Sequence, residues 1–396
     1  MSQWYIRANL VNLEINMKRL HLIVITLAIM VLVVYVAKTT RIPEPSAEQP
    51  FVRPDPPNVL PKPEIPKEYT YEDAIASIKE IELKRDLEYL ASRELEGRMS
   101  GKKGNVLAAE YIKKAYDSYG LQTMHHKFNI QRMNAGPKNE TGDDFTQNVY
   151  AWIEGSDPVL KNEIVVIGAH MDHIGYGPQM SRSRKIDIHP GADDNASGTV
   201  ALMEIAQAFS MLKGKNKRTV VFQSYSAEEM GLIGSRYYCN NPTFPQSAPN
   251  ITKHIFMLNM DMVGYLGKGR YTVAFSAGES SVDISTIINE LVPKYSFAKS
   301  ITSRGSGGSD HASFYNKKVP IAFLHTGLHD YYHTPEDTAD KINYAGVEKV
   351  AKYGFELAWK VVQSETAPRF NLASFKEMDY THDHGHGVEF PHGHKH

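Results

Sequence analysis

The sequence predicts an α/β fold, a three-layer domain whose central mixed, mostly parallel sheet is flanked by helices. Three observations predict it. Residues 163–169, 219–225, 254–260, 271–275 and 320–324 are short apolar runs without polar alternation, as in strands covered on both faces. Residues 197–212, 230–239, 281–292 and 346–362 have helical spacing and fall between or after those runs. Strands separated by helices make parallel sheets with helical crossovers. Ahead of them, residues 73–90 and 103–119 also have helical spacing, and Gly120 stands where a helix stop belongs. In such sheets ligands bind beyond the carboxyl ends of the strands, so the chemistry is expected there.

The chain has 396 residues, with 44 Lys+Arg against 45 Asp+Glu and a net charge of −1. That balance gives no basic footprint for nucleic acid. One cysteine, Cys239, excludes an intramolecular disulfide framework and a multi-cysteine zinc site; its place after the Glu pair suits packing. Residues 20–37, LHLIVITLAIMVLVVYVA, are long enough as a helix to cross a bilayer core, and Lys18 and Arg19 precede them. Cleavage after Ala37 would put Tyr35 where a small residue is wanted, which favours a transmembrane signal anchor over a signal peptide. Residues 1–19 are then a cytoplasmic extension or a mis-assigned start, since Met17 opens MKRLHLIV. Residues 38–68 form a linker, with nine prolines between positions 42 and 66. The working domain spans 69–368, outside the cytoplasm, either anchored to the membrane or secreted. Residues 369–396 are a His-rich tail, read either as a metal collector or as a plain polar segment.

Five polar clusters sit at the ends of the apolar segments. GAHMDH (168–173) closes one strand, GADDNASG (191–198) opens a helix, and SAEE (226–229) closes a second strand. NMDM (259–262) closes a third, and YHTPED (332–337) follows the last. Each alone reads as a cap, a solvated pair or a structural histidine. Together they would gather many carboxylates at one sheet edge, which is very costly without a compensating cation. Imidazole and carboxylate together suit zinc. An adjacent Glu-Glu pair can ligate with one carboxylate and move a proton with the other.

From about Leu90 to Tyr344 the motifs GAHMDH, GADDNASG, SAEEMGLIGS, NMDMVG, GGSDHASF and YYHTPEDT resemble, in order, metallopeptidase family 28, the di-zinc aminopeptidases. The resemblance implies a zinc-exopeptidase (phosphorylase/hydrolase-like) fold and two Zn²⁺ ions. It implies that His170 and Asp261 ligate one zinc, Glu229 and His333 the other, and that Asp193 bridges them. Glu228 would be general base and acid, activating a metal-bridging hydroxide. Asp172 would orient His170, and Tyr332 would stabilise the oxyanion. Asp310 would be structural or pocket-lining. His173 and Asp194 fall outside the implied ligand set, and Met230, Leu232 and Ile233 would pack beneath the site.

The implied substrate is a peptide with a free N-terminus. Glutaminyl cyclases resemble the same family, but the run after Asp193 is similar to the peptidases. Carboxypeptidases with this core use added arginines, for which Arg182, Arg184 and Arg304 are the candidates here. A non-catalytic metal-binding relative is the remaining alternative. Partners beyond peptide and membrane, and the oligomeric state, leave no mark in the sequence.

Overall fold

The computed structural model describes residues 68–130, 145–267, 280–297 and 308–376. The expected anchor at 20–37, the linker up to residue 67, the strand at 271–275 and the histidines of the tail lie outside these residues. Among the described residues no helix is long and apolar enough to cross a membrane.

Six strands form one sheet: β1 (Gln122–Asn129), β2 (Phe145–Ile153), β3 (Ile164–His170), β4 (Thr219–Tyr225), β5 (His254–Met260) and β6 (Ile321–Leu324). Their order is β1-β2-β4-β3-β5-β6. Strands β4, β3, β5 and β6 run parallel, while β1 and β2 are antiparallel additions at one side. The sheet is therefore mixed and mostly parallel. The parallel strands occupy the expected runs to within a residue, because a strand covered on both faces must be apolar throughout. Strands β1 and β2 have no counterpart among the expectations. QTMHHKFN lies at the sheet edge, mostly half-buried, so it needs no continuous apolar run.

Successive side chains of a strand point to opposite faces, and two cores follow from that. Val165, Ile167, Phe222 and Leu258 enter the larger core. It is covered by α1 (Tyr71–Ser77), α2 (Glu80–Leu90), α3 (Lys103–Ser118), α4 (Gly198–Met211), α6 (Val282–Lys294) and α8 (Tyr344–Gln363). Ile164, Val166, Val221 and Met257 enter the other, covered by α5 (Ile233–Asn240) and α7 (His311–Tyr315). Helix α4 is apolar nearly all round because it lies between the sheet and other helices.

Three boundaries differ from expectation. The helix expected at 73–90 is two helices, because Ile78 is extended and inserts into the core. Thr70 starts the first with a capping box to Asp73. The helix expected from Met230 starts at Ile233; Met230 is exposed, and only Leu232 and Ile233 pack inward. The domain also runs past residue 368, since Phe370 and Phe375 pack on Tyr315 and Arg369 pairs with Asp283. Cys239 is buried in the second core, as its packing role requires.

Phe209 of α4 meets Phe222 of β4 and Phe355 and Trp359 of α8, with ring centroids 5.1–5.7 Å apart. Phe209→Ala should lower unfolding stability by about 3–5 kcal/mol, read from urea unfolding as a reduced midpoint at unchanged slope.

Candidate metal centre

Each parallel strand delivers one group to the same edge. His170 is the last residue of β3. Past β4, Ser226 N–H donates to Asn148 Oδ1 at 3.0 Å and Ala227 N–H to Ser100 Oγ at 2.7 Å, which swings Glu228 and Glu229 over the sheet. Past β5, Asp261 N–H donates to Leu324 O of β6 at 3.1 Å. Past β6, the chain reaches His333, whose Nδ1 lies 3.2 Å from Met180 O. Three non-glycine residues with left-handed backbone flank or occupy the site: Ala227 (φ 56), Met262 (φ 52) and His333 (φ 54). Such strain persists where surrounding contacts over-determine it, and functional sites are where it collects.

Two ligand groups result, and one carboxylate belongs to both. His173, Asp194, Glu229 and His333 form the first, and His170, Asp194 and Asp261 the second. Asp194 Oδ2 lies 3.0 Å from His333 Nε2, which is 3.1 Å from Glu229 Oε2. Asp194 Oδ1 lies 3.4 Å from His170 Nε2, itself 3.4 Å from Asp261 Oδ1. Donors held tetrahedrally at about 2.0–2.1 Å from a zinc are roughly 3.3–3.4 Å apart, so the spacing fits. Glu229 Oε2 and Asp261 Oδ1 are buried and make no hydrogen bond in the protein. Buried polar atoms without partners are uncommon, and a cation between these groups would satisfy both.

The shared carboxylate was expected on Asp193; in the structure Asp194, not Asp193, is the one common to both candidate ligand groups. Asp193 points away: Oδ2 meets His329 Nε2 at 2.9 Å, and Oδ1 accepts from Gly264 N at 2.6 Å and Ser197 Oγ at 3.1 Å. Gly191 turns the chain with φ 59, and a Cβ there would lie 2.3 Å from Asp194 O. The turn thus offers two consecutive aspartates to opposite sides. His173, also outside the expected set, lies with its Nδ1 2.8 Å from Glu229 Oε1. No sequence signal separates the two aspartates; only the direction of the turn does.

The other expected residues surround these groups. Asp172 Oδ1 is 3.7 Å from His170 Nδ1, whose nearer contact is Asp172 O at 3.3 Å. Asp172 Oδ1 also accepts from Glu228 N at 3.2 Å, so it fixes the backbone of the expected base while lying beside His170. Tyr332 is buried with its ring stacked on His333, centroids 3.9 Å apart. Asp310 is fully buried. Arg182 is exposed, its guanidinium 5.8 Å from the Tyr332 ring.

Burial and neighbours drive the adjacent glutamates apart. Burial, with Glu229, Asp261 and Asp310 nearby, holds the Glu228 carboxyl well above the usual range, against the pull of His170. Burial acts the same way on Glu229, but His333 and His173 outweigh it and hold Glu229 well below. Opposite shifts in neighbouring carboxyls separate a proton carrier from a permanent anion. Burial, with nearby carboxylates, keeps the Tyr332 phenol protonated. Burial would lower His333, but Glu229 and Asp194 raise it to about 10.

The chain matches the sequence model of peptidase family M28 over residues 148–358, more than half its length. It is 32% identical over 216 residues to a probable leucine aminopeptidase of Arthroderma otae, covering 51% of this chain and 56% of that protein. The chain thus spans about half the length of the curated relatives it matches. Among solved structures it is similar to the LapA aminopeptidase of Legionella pneumophila, with a TM-score of 0.58 and 24% identity, over 77% of this chain and 78% of that one. It is also similar to BSAP, a zinc aminopeptidase from Bacillus subtilis, with a TM-score of 0.57 and 15% identity, over 78% and 99% of the two chains. At these identities the solved structures establish the fold.

A histidine that binds metal must first lose its proton. With its pKa raised to about 10, His333 carries that proton at neutral pH in the metal-free protein. Zinc binding at pH 7 should therefore release protons, and apparent affinity should rise from pH 6 to 8 by about tenfold per unit for each proton displaced. Calorimetry in two buffers of different ionisation enthalpy measures the release.

Proposed function

Because this chain belongs to peptidase family M28, we propose that it is an aminopeptidase that uses two zinc ions to remove residues from the free N-terminus of peptides. The observation that carries this reading is the Asp194 carboxylate, one oxygen turned to His170 and Asp261 and the other to His333 and Glu229. His170, Asp261 and Asp194 would hold one ion; His333, Glu229 and Asp194 the other. His173, on Oε1 of Glu229, leaves Oε2 facing His333. Bound there, the ions would supply the acidity that ionises a water and the charge that polarises the scissile carbonyl.

The side chains account for the remaining chemistry. Glu228, 4.0 Å from His170 Nε2 and outside both candidate ligand groups, would be ionised by nearby bound cations and then take the proton from the attacking water. It then returns that proton to the leaving amine. Its backbone is fixed by Asp172, so the base keeps its place through the cycle. The Tyr332 hydroxyl, kept protonated, donates to the oxyanion of the tetrahedral intermediate. Asp172, Glu228, Asp261 and Asp310 put carboxyl groups on one side of the site, while the buried cation nearby, Arg98, is engaged with backbone carbonyls. Such a pocket suits a protonated amine better than a carboxylate, which favours N-terminal over C-terminal attack. Of the three arginines named as carboxypeptidase candidates, Arg182 and Arg184 are exposed and Arg304 lies outside the described residues.

We further propose that residues 20–37 tether the domain to a membrane on its extracytoplasmic side, a reading supported by the uncharged apolar run alone. The protein should then stay in the membrane pellet after an alkaline carbonate wash, whereas recovery in the wash would count against a spanning anchor.

The activity is tested with the zinc-loaded protein and three peptides: free N-terminus, acetylated N-terminus and N-terminal Gln. Mass spectrometry should follow stepwise loss of residues from unblocked peptides only, stopped by a chelator. Glu228→Gln should lower kcat by at least about 10²–10⁴-fold with zinc still bound. Loss of ammonia from the Gln peptide would instead point to a cyclase. No change in any peptide with zinc bound would point to a non-catalytic relative.

A further inference from the structure

The turn that carries Asp194 is gripped from both sides by buried groups of opposite charge. On its carbonyl side is Arg98, 1% exposed. Arg98 Nη1 donates to Pro190 O at 2.6 Å and Nη2 to Gly191 O at 2.9 Å. On its amide side is Asp337, fully buried. Asp337 Oδ1 accepts from Asp193 N at 3.0 Å, and Oδ2 from Asp193 N and Asp194 N at 3.1 Å each. Asp337 O accepts from Ala192 N at 3.1 Å. Residues 190–194 therefore lie between a cation on their carbonyls and an anion on their amides.

Each grip also reaches another ligand segment. Arg98 Nε donates to Met171 O at 2.9 Å, between His170 and Asp172, and Arg98 O accepts from His173 N at 3.4 Å. Arg98 Nη1 also donates to Leu90 O at 2.6 Å, which fixes the guanidinium to the end of α2. Asp337 lies four residues beyond His333 in the same loop. The two side chains thus join the segments bearing His170, Asp194 and His333 without being ligands themselves.

The arrangement is costly in a way that packing alone does not explain. Burial pulls the Arg98 guanidinium down to about 10, against the support of Asp194, Asp337, Asp172 and Glu229. Its backbone is left-handed, as is that of Glu96 and Gly97 (φ 48, 50 and 69). A Cβ on Gly97 would lie 2.5 Å from His189 O, so the turn is pressed against the site from outside as well. An apolar side chain of similar volume would fill this space without the desolvation penalty.

We propose that Arg98 and Asp337 are positioning residues that set where the Asp194 carboxylate stands between the two ligand groups, and so set the spacing and affinity of the two metals. This rests on the metal-centre reading above. Partners behind metal ligands typically change affinity by 10–100-fold when removed.

The test uses the full chain stripped of metal, Zn²⁺ titrated against a chromogenic chelator, and the visible spectrum of the Co²⁺-loaded protein. Arg98→Lys keeps the charge but loses the fork; Asp337→Asn keeps the shape and one acceptor oxygen but loses the charge and the second acceptor. In folded protein, each should weaken at least one Zn²⁺ site by about 10–100-fold and alter the cobalt bands. Variants that melt at lower temperature yet bind both Zn²⁺ ions and absorb as the wild type does would overturn the proposal, because a purely structural role predicts that pattern. If Arg98→Lys does not fold, Asp337→Asn decides by the same readout. A wild type that binds no zinc would overturn the metal-centre reading and this inference with it, whereas two bound ions with unaffected variants would overturn this inference alone.

Discussion

Carboxylates buried away from water must find hydrogen-bond donors or cations within a few ångströms, and that requirement governs the upper edge of this sheet. Asp172, Asp193, Asp194, Glu228, Glu229, Asp261, Asp310 and Asp337 are all buried there. Some are met by backbone amides, as Asp337 is by residues 193 and 194. Others face His170, His173, His329 or His333. Glu229 Oε2 and Asp261 Oδ1 are left without a hydrogen bond, at the two places where the ligand groups converge. An unsatisfied buried acceptor costs about 1–3 kcal/mol or more, and a cation between the ligand groups would offset that cost.

The parallel sheet makes this concentration possible. Four strands end at one level, so four loops can deliver charged groups to one place while the apolar strands and helices below carry stability. The loops depart from ordinary backbone where they must aim a side chain, as at Ala227, Met262 and His333. The division is between a lower part that supplies folding energy and an upper part that consumes it. The opposite shifts of Glu228 and Glu229 arise only there, since one of two chemically identical neighbours faces two histidines and the other faces carboxylates.

The sequence and the structure agree closely on the parallel strands; at the sheet edge His170, Glu229, Asp261 and His333 fall within the two candidate ligand groups, and the reading parts from the geometry over one turn. Asp193 and Asp194 have the same side chain, and both sit in GADDNASG. Which faces the histidines depends on the φ of Gly191 and on the grips of Arg98 and Asp337, contacts made across 92 and 144 positions of sequence. His173 escaped for a related reason, since its contact to Glu229 spans 56 positions. Strand β1 escaped because an edge strand can be polar and still pair.

The sequence by itself determined which chemistry this protein could attempt. The apolar runs dictate a parallel sheet, and the side chains at their ends are of types that can ligate a metal or carry a proton, because residue type and position along a strand are local properties. The tertiary structure alone decided which of two adjacent aspartates joins the candidate ligand groups, which glutamate has its proton affinity raised and which has it lowered, and which buried cation and anion hold the turn in place. Those outcomes depend on distance and burial between segments far apart in the chain, and neither quantity exists until the loops meet above the sheet.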